Sequence, residues 1–357
     1  MQERYITEER ICLPLSSNEK VNQKNKKWPL VSVVVLNYNG KYFIKKCLQT
    51  VFATIYPSFE VIFVDNASTD DSVEIVKKNY PSSKIIVNTE NLHFTEGNNI
   101  GLRVAKGEYV VLLNNDTEVH PRWLNEIVNL MESDPAIGAC QCKLLFMDNP
   151  NEIDSAGGLV NPLGLCVERG KGEKDIQQYD RIDEIFHGKG AALVLRKKVL
   201  SEIGLLDRQF LYNSEDIDLC WRLHLRGYKV YFCPKAEVYH SRSSPTKKKF
   251  QQQDVGLFHS AKNVLRMLIK NYSVPNLLKF VPLLVSFEIG ASLLLLSRRK
   301  NHMFFAIIQA LLWNLKNLNN TLAERSIVQQ KIRKVSDGDV LKHMMSIRAD
   351  LNRPEFL

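Results

Sequence analysis

Two groups of carboxylates have the residue types and spacing to do chemistry. The first centres on Asp116, in Tyr109-Val-Val-Leu-Leu-Asn114-Asn115-Asp116-Thr117. Tyr109 to Leu113 reads as a strand buried on both faces, and the chain turns polar directly after its carboxyl end. Open α/β sheets place their ligands at that end. One carboxylate flanked by amides can offer oxygen ligands to Mg²⁺ or Mn²⁺ while a phosphate fills other coordination positions. The same residues would also serve as a turn that caps a helix starting near Pro121. The second group is Glu215-Asp216-Ile217-Asp218. Ile217, Cys220, Trp221 and Leu225 recur at helical spacing, so the three carboxylates fall in the first turn of a helix that Gly227 ends. A helix dipole favours each by roughly 0.3–1 kcal/mol, yet three carboxylates in four positions are more negative charge than capping requires.

Both groups need a scaffold, and the chain before residue 241 supplies one. Leu30 to Leu36 is a near-continuous β-branched run that ends in Asn37-Tyr38-Asn39-Gly40, and a helix follows from Lys41 to Ala53. Phe59 to Val64 is a second strand ending in Asp65-Asn66-Ala67-Ser68-Thr69-Asp70, with a helix from Asp71 to Asn79 and a short strand from Lys84 to Val87. Asn88 to Gly101, dense in amides and glycine, reads as a loop that lets backbone N–H groups approach a ligand closely, ahead of a short helix through Ala105. Strand, loop and helix repeated in this order predict a doubly wound, mostly parallel α/β sheet. Pro121 to Ser133 predicts a helix, Ile137 to Leu145 a strand, Gly188 to Arg196 a strand, Lys198 to Ile203 a helix, and Tyr228 to Phe232 a last strand leading to His240. Residues 148–187, which include Asp154-Ser-Ala-Gly-Gly158, carry no periodicity from which regular structure follows.

The chain has 357 residues and a formal charge of +9. Residues 241–357 hold 19 Lys and Arg against 7 Asp and Glu, so the basic excess belongs to the C-terminal third. That region reads as helical. Its most apolar window, Val281 to Ser297, is interrupted by Pro282, Glu288 and Gly290, and Arg298-Arg299-Lys300 separates it from a second apolar stretch, Met303 to Trp313. Seventeen residues stand at the lower limit for a bilayer span, and basic flanks suit a helical pair lying at an anionic membrane face. The alternative is two core helices packed on the preceding domain. Seven cysteines, an odd count with no close CxxC pair, read as reduced, buried thiols of a cytosolic protein. The expected organisation is a loosely ordered tail over 1–27, an α/β domain over 28–245 and a helical region over 246–357. No GxGxxG follows the first strand and no GxxxxGK[ST] occurs, which argues against a dinucleotide dehydrogenase and a P-loop NTPase. The confinement of charge to an apolar region argues against nucleic acid as a partner.

Six blocks in order resemble glycosyltransferase family 2, and within it the rhamnosyltransferase-like branch: Val33 to Gly40, Val64 to Ser72, Asn91 to Gly101, Leu112 to Thr117, Gly188 to Leu195, and Tyr212 to His240. The resemblance implies the GT-A fold and inverting transfer from a nucleotide-diphosphate sugar, dTDP-rhamnose or a UDP-sugar, to a glycan or polyprenyl-linked acceptor in cell-surface polysaccharide synthesis. It implies that Leu36, Asn37, Tyr38 and Asn39 hold the base and ribose, that Asp65 reads the pyrimidine, and that Asn98 and Asn115 also contact the nucleotide. Asn114-Asn115-Asp116 stands where the family has DxD, so Asp116 carries most of the charge for Mg²⁺ or Mn²⁺, with His240 as a further metal or diphosphate contact. Asp216 matches the catalytic base, paired with Glu215. Gly188, Gly190, Trp221 and Arg222 would contact acceptor or diphosphate, although a core Trp and a surface Arg fit the helix equally well. The branch also implies a cytoplasmic enzyme at the inner membrane face. A non-catalytic sugar-nucleotide-binding scaffold and a sugar nucleotidyltransferase are the alternatives. The first would be favoured by loss of Asp116 or Asp216, and both are present. The second needs a Gly-rich basic loop after the first strand, which Leu36-Asn-Tyr-Asn-Gly40 is not.

Overall fold

The computed structural model describes residues 28–242 and 253–346. The expected N-terminal tail, Cys12 and Lys247-Lys248-Lys249 lie outside the described residues. The apolar runs become β1 (Val31–Asn37), β2 (Phe59–Asp65), β3 (Lys84–Val87) and β4 (Tyr109–Asn114). Between them run α1 (Lys41–Phe52), α2 (Ser72–Asn79) and α3 (His93–Val104). β1 is parallel to both neighbours, with Asn37 level with Asp65 and Leu36 level with Asn114. That register collects the polar loops after three strands at one end of the sheet. Alternate residues of β1 feed two cores on opposite faces: Val34 joins Ile62 and Leu112, while Val33 and Val35 join Phe63 and Val111.

The chain continues through β5 (Thr117–Val119), α4 (Trp123–Ser133), β6 (Ile137–Phe146), β7 (Asn149–Ser155), β8 (Gly158–Val160), β9 (Cys166–Glu168), β10 (Asp183–Glu184) and β11 (Ala192–Arg196). α5 (Lys197–Ile203), α6 (Glu215–Arg226) and β12 (Lys229–His240) follow. The main sheet runs β10-β12-β6-β11-β4-β1-β2-β3, with β5 on β12 and β7 on β6. β11 is antiparallel to both β4 and β6, so the sheet is mixed α/β with a parallel half. Residues 148–187 fold into four short strands: β7 pairs with β6 through a shifted register, β8 pairs with β9, and β10 pairs with the distant β12. The amide-rich stretch expected to be a loop is already helical from His93. Asn98 bonds the carbonyl of Phe94 at 2.9 Å, and Asn99 bonds that of Leu206 at 2.9 Å. Gly101 faces β1 so closely that a Cβ there would lie 2.3 Å from Cγ1 of Val34.

Five of the six described cysteines are buried, and Cys166 is exposed.

The C-terminal region contains α7 (Gln253–Asn271), α8 (Val274–Ser297), α9 (Asn301–Lys316), α10 (Leu318–Ile327) and α11 (Asp337–Leu341). α7 docks on the α/β domain through a buried ionic network. Asp207 takes Arg266 at 2.9 Å and Lys270 at 2.7 Å, and Asp218 takes Lys270 at 3.1 Å, Arg222 at 3.0 Å and Asn271 at 3.0 Å. Burial works against the charge on both carboxylates, but Lys270 and its arginine partners outweigh it and hold both below the usual carboxylate range. Because these folded pKa values are depressed, the stability they contribute is present above the unfolded value of about 3.9 and is lost as pH falls through the folded values. Asp207→Asn would leave Lys270 and Arg266 short of a partner. It is expected to destabilise the fold by about 3–5 kcal/mol in urea unfolding and to flatten the loss of stability below about pH 4.

α8 is the one helix among the described residues long and apolar enough to cross a membrane, at a mean hydropathy of 2.0 over its most apolar window. Only 22% of that window is buried. Leu278, Leu283, Leu293 and Leu294 are exposed along it, and Phe305, Leu312 and Leu315 along α9. Each helix also has a packed face, with Phe280 and Leu284 of α8 and Ala306, Ile307 and Ala310 of α9 buried.

Candidate active site

A cleft of about 640 Å³ opens at the carboxyl ends of β1 and β4. Leu36, Tyr38, Asn66 and Asn115 form one wall. Behind it, Asn115 donates to the Asn37 side chain at 2.7 Å, and Asn37 donates to Asp65 at 2.9 Å and Ser72 at 2.9 Å. Asp65 also accepts the Ser68 backbone N–H at 2.8 Å and is wholly buried. The Asn39 side chain accepts the Thr69 N–H at 2.8 Å. Of the residues expected to hold a nucleotide, Leu36, Tyr38 and Asn115 line the cleft. Asn37, Asn39 and Asp65 tie its wall together from behind. Asn98 is buried within α3. Gly40 is required where it stands, since a Cβ would lie 2.1 Å from Nδ2 of Asn115.

Asp116 and His240 meet because of strand pairing. β5 runs antiparallel to β12 with His240 opposite Thr117, which sets the imidazole beside Asp116, 3.4 Å from Nε2 to Oδ1. On the other side, β6 brings β7 alongside, and Asp154 reaches His240 Nδ1 at 2.7 Å. Lys189 completes the group at 2.8 Å from Asp154. Burial opposes a charge on Asp154, but the hydrogen bond from His240 and the Lys189 ammonium hold it well below the usual carboxylate range. A histidine whose Nδ1 is fixed by a carboxylate and whose Nε2 faces a second carboxylate has the form of a metal-binding imidazole, so these residues fit a divalent ion. Asn114 lies 3.5 Å from the same Nε2 and supplies an amide rather than a second carboxylate.

The opposite wall carries Glu215 and Asp216. The segment delivering them is strained: Leu211, Asn213 and Ser214 all have positive φ, at 61°, 62° and 65°. It is clamped by Asn263 of α7, whose amide donates to the carbonyls of Phe210, Tyr212 and Asn213 at 3.1, 2.6 and 2.7 Å. Asp216 accepts the N–H of Gly190 at 2.9 Å and that of Ile217 at 2.8 Å. Its pKa is raised by burial, with His187 and the Gly190 N–H pulling it partly back. Burial, and then the charge of Asp216, push Glu215 well above the usual range, and its Oε2 has no hydrogen-bond partner. Of the two carboxylates, Asp216 is the one whose charge is supported by backbone N–H groups.

Three expectations fail on position. Arg222 is buried and turned away, bonded to Asp218 and to the carbonyls of Ile203 and Leu205. Trp221 is a core residue, edge-on to Phe186 and Tyr272. Gly188 packs on Leu193 and Gln141, and only Gly190 of the glycine pair lines the cleft. Their helix and strand were legible, but which face turns inward depends on neighbours far along the chain. Conversely, Asp154, His187 and Lys189 line or support the cleft without having been singled out. The signal was present in the glycines beside them. A Cβ on Gly158 would lie 1.9 Å from Nε2 of the buried His187, so the ring fits only over a glycine.

A sequence profile described as Glycosyl transferase family 2 matches residues 32–204. The chain is 28% identical over 235 residues to an uncharacterised protein, y4gI, of Sinorhizobium fredii, a match covering 60% of this chain and 25% of that protein. It is 26% identical over 226 residues to the O-antigen biosynthesis protein RfbC of Myxococcus xanthus, covering 60% of this chain and 18% of that one. The chain thus spans a quarter or less of these relatives. In fold it is similar to GalNAc-T7 with UDP, GalNAc and Mn²⁺, at a TM-score of 0.54 and 18% identity over 68% of this chain and 48% of the other. A Staphylococcus aureus TarS structure in complex with UDP-GlcNAc gives a TM-score of 0.54 and 15% identity over 88% of each chain. These likenesses show the GT-A fold, and the profile match carries the assignment by sequence: residues 32–204 of the chain belong to glycosyltransferase family 2.

Proposed function

We propose that this glycosyltransferase moves a sugar, with inversion, from a nucleoside-diphosphate donor such as dTDP-rhamnose or a UDP-sugar to a glycan or polyprenyl-linked acceptor of a surface polysaccharide. The observation that carries this reading is the convergence of Asp116, His240 and Asp216 on one cleft. Leu36, Tyr38 and Asn115 hold the base and ribose. Asp116 and His240 would hold Mg²⁺ or Mn²⁺, and the ion would supply positive charge against the departing diphosphate. Asp216 takes the proton of the acceptor hydroxyl while that oxygen forms its bond to the anomeric carbon and the bond to the diphosphate oxygen breaks. A single displacement of this kind inverts the anomeric centre. Mn²⁺-bound complexes with UDP or GDP-Man among the proteins of similar fold support the choice of donor class and metal, and the RfbC relative supports the polysaccharide setting.

The exposed apolar faces of α8 and α9, with Arg298-Arg299-Lys300 between them, support attachment at the inner face of the cell membrane, where a polyprenyl-linked acceptor is presented. The full chain is expected to float with vesicles containing anionic lipid and to be released by salt, and full recovery in the soluble fraction at low salt would reject the attachment. The donor is tested by a panel of nucleotide sugars with Mn²⁺. A true donor raises Tm by mass action and yields product with the acceptor, whereas a panel without any Mn²⁺-dependent shift would overturn the assignment of the cleft.

A further inference from the structure

A second set of metal-ligating side chains comes together away from the cleft. One ligand atom each from Glu184, His224 and His343 lies within 4.8 Å of the others. They come from three separate parts of the chain: the edge strand β10, the last turn of α6, and the turn after α11. His343 Nδ1 is 3.0 Å from Glu184 Oε1. The rings of His224 and His343 stack with centroids 5.1 Å apart and planes at 19°. His224 Nε2 lies 2.8 Å from the carbonyl oxygen of Phe186, so that nitrogen carries the proton and donates, and Nδ1 keeps its lone pair. A backbone carbonyl fixing one imidazole nitrogen so that the other can ligate is a recurrent support of metal-bound histidine.

We propose that Glu184, His224 and His343 bind Zn²⁺ as a clamp that fastens the C-terminal segment to the α/β domain. Two imidazoles and one carboxylate suit Zn²⁺ better than Mg²⁺, which prefers oxygen ligands throughout, and they leave a fourth position for water. The clamp lies where the C-terminal segment already docks, with Lys334 N–H on the Leu225 carbonyl at 2.7 Å and Met345 N–H on that of Val160 at 3.0 Å. It is also connected to the cleft along the chain: α6, which carries His224 in its last turn, begins at Glu215 and Asp216, and β10, which ends at Glu184, leads directly to His187 and Lys189. Zinc bound only by the folded chain therefore stabilises the join between the two regions.

The full-length chain, stripped with EDTA and dialysed, is titrated with ZnCl₂ by calorimetry without nucleotide and then melted with and without the metal. The expected result is one strong site and a rise in Tm of several degrees. His343→Ala and Glu184→Gln each weaken it by at least about tenfold while keeping the wild-type circular dichroism spectrum, and Asp116→Ala retains it. Both variants change half-exposed side chains, so folding is expected to survive. A wild-type chain that binds no zinc, binding unaltered in both variants, or binding lost only in Asp116→Ala would each overturn the clamp.

Discussion

Asp216→Asn is expected to lower the rate of sugar transfer by about 10²–10⁴-fold while donor affinity stays close to that of the wild type. The asymmetry follows from where the residue stands. Asp216 lies across the cleft from the wall of Leu36, Tyr38 and Asn115, and its carboxylate is oriented by two backbone N–H groups rather than by any group assigned to the donor. Asparagine has nearly the same shape but cannot take the acceptor proton. The change should therefore appear in turnover, measured as initial rates at saturating donor, and not in donor binding, measured by calorimetry. The pH dependence carries a sign. Because burial raises the Asp216 pKa, the wild-type rate should fall on acidification at a higher pH than an ordinary aspartate, near 3.9, would give. Transfer at near wild-type rate by Asp216→Asn would remove the base assignment and pass the role to Glu215.

Asp116→Ala should behave differently, with metal affinity and Mn²⁺-dependent nucleotide affinity falling together. Disturbing a group that merely supports a metal-bound histidine costs about 10–100-fold in affinity, so loss of the carboxylate itself should cost at least about 100-fold. Asp154→Asn offers the graded comparison. Its carboxylate bonds His240 Nδ1 at 2.7 Å, and the variant should weaken metal binding by about 10–100-fold without abolishing it. Asn114 sharpens the expectation, because the amide contributes no charge and leaves Asp116 as the anionic group of the Asn114-Asn115-Asp116 turn. Unchanged Mn²⁺-dependent nucleotide binding in Asp116→Ala would sink the ligand role.

Apart from the helix that starts at His93, the strands and helices from Val31 to Asn114 were legible because each is signalled by local physics: β-branched runs buried on both faces, polar residues at their carboxyl ends, and apolar residues at helical spacing. The helix from Glu215 to Arg226 was legible for the same reason, with Gly227 at φ 92° ending it. Two kinds of feature were not. The helix from His93 hides in an amide-rich sequence because Asn98 and Asn99 use their side chains on the carbonyls of Phe94 and Leu206, a partner 107 residues away in the second case. The strands from Asn149 to Glu184 carry no period because β8, β9 and β10 are only two or three residues long and β7 pairs with β6 through a shifted register.

The sequence by itself determined the strands and helices of the sheet that carries the cleft and singled out Asp116 and Asp216 as candidates, since these depend on residue type and near-neighbour spacing, and its six ordered blocks carried the resemblance to the family. Only the tertiary structure decided which side chains reach one another. It turned Trp221 into the core and Arg222 toward Asp218. It placed Asp154 on His240 through pairing along β6, and it set Asn263 of the C-terminal helix against the strained segment before Glu215. Those choices follow from strand register and helix docking between residues tens to more than a hundred positions apart. Their free energy comes from burial and from pairing of polar groups that do not meet until the chain has folded.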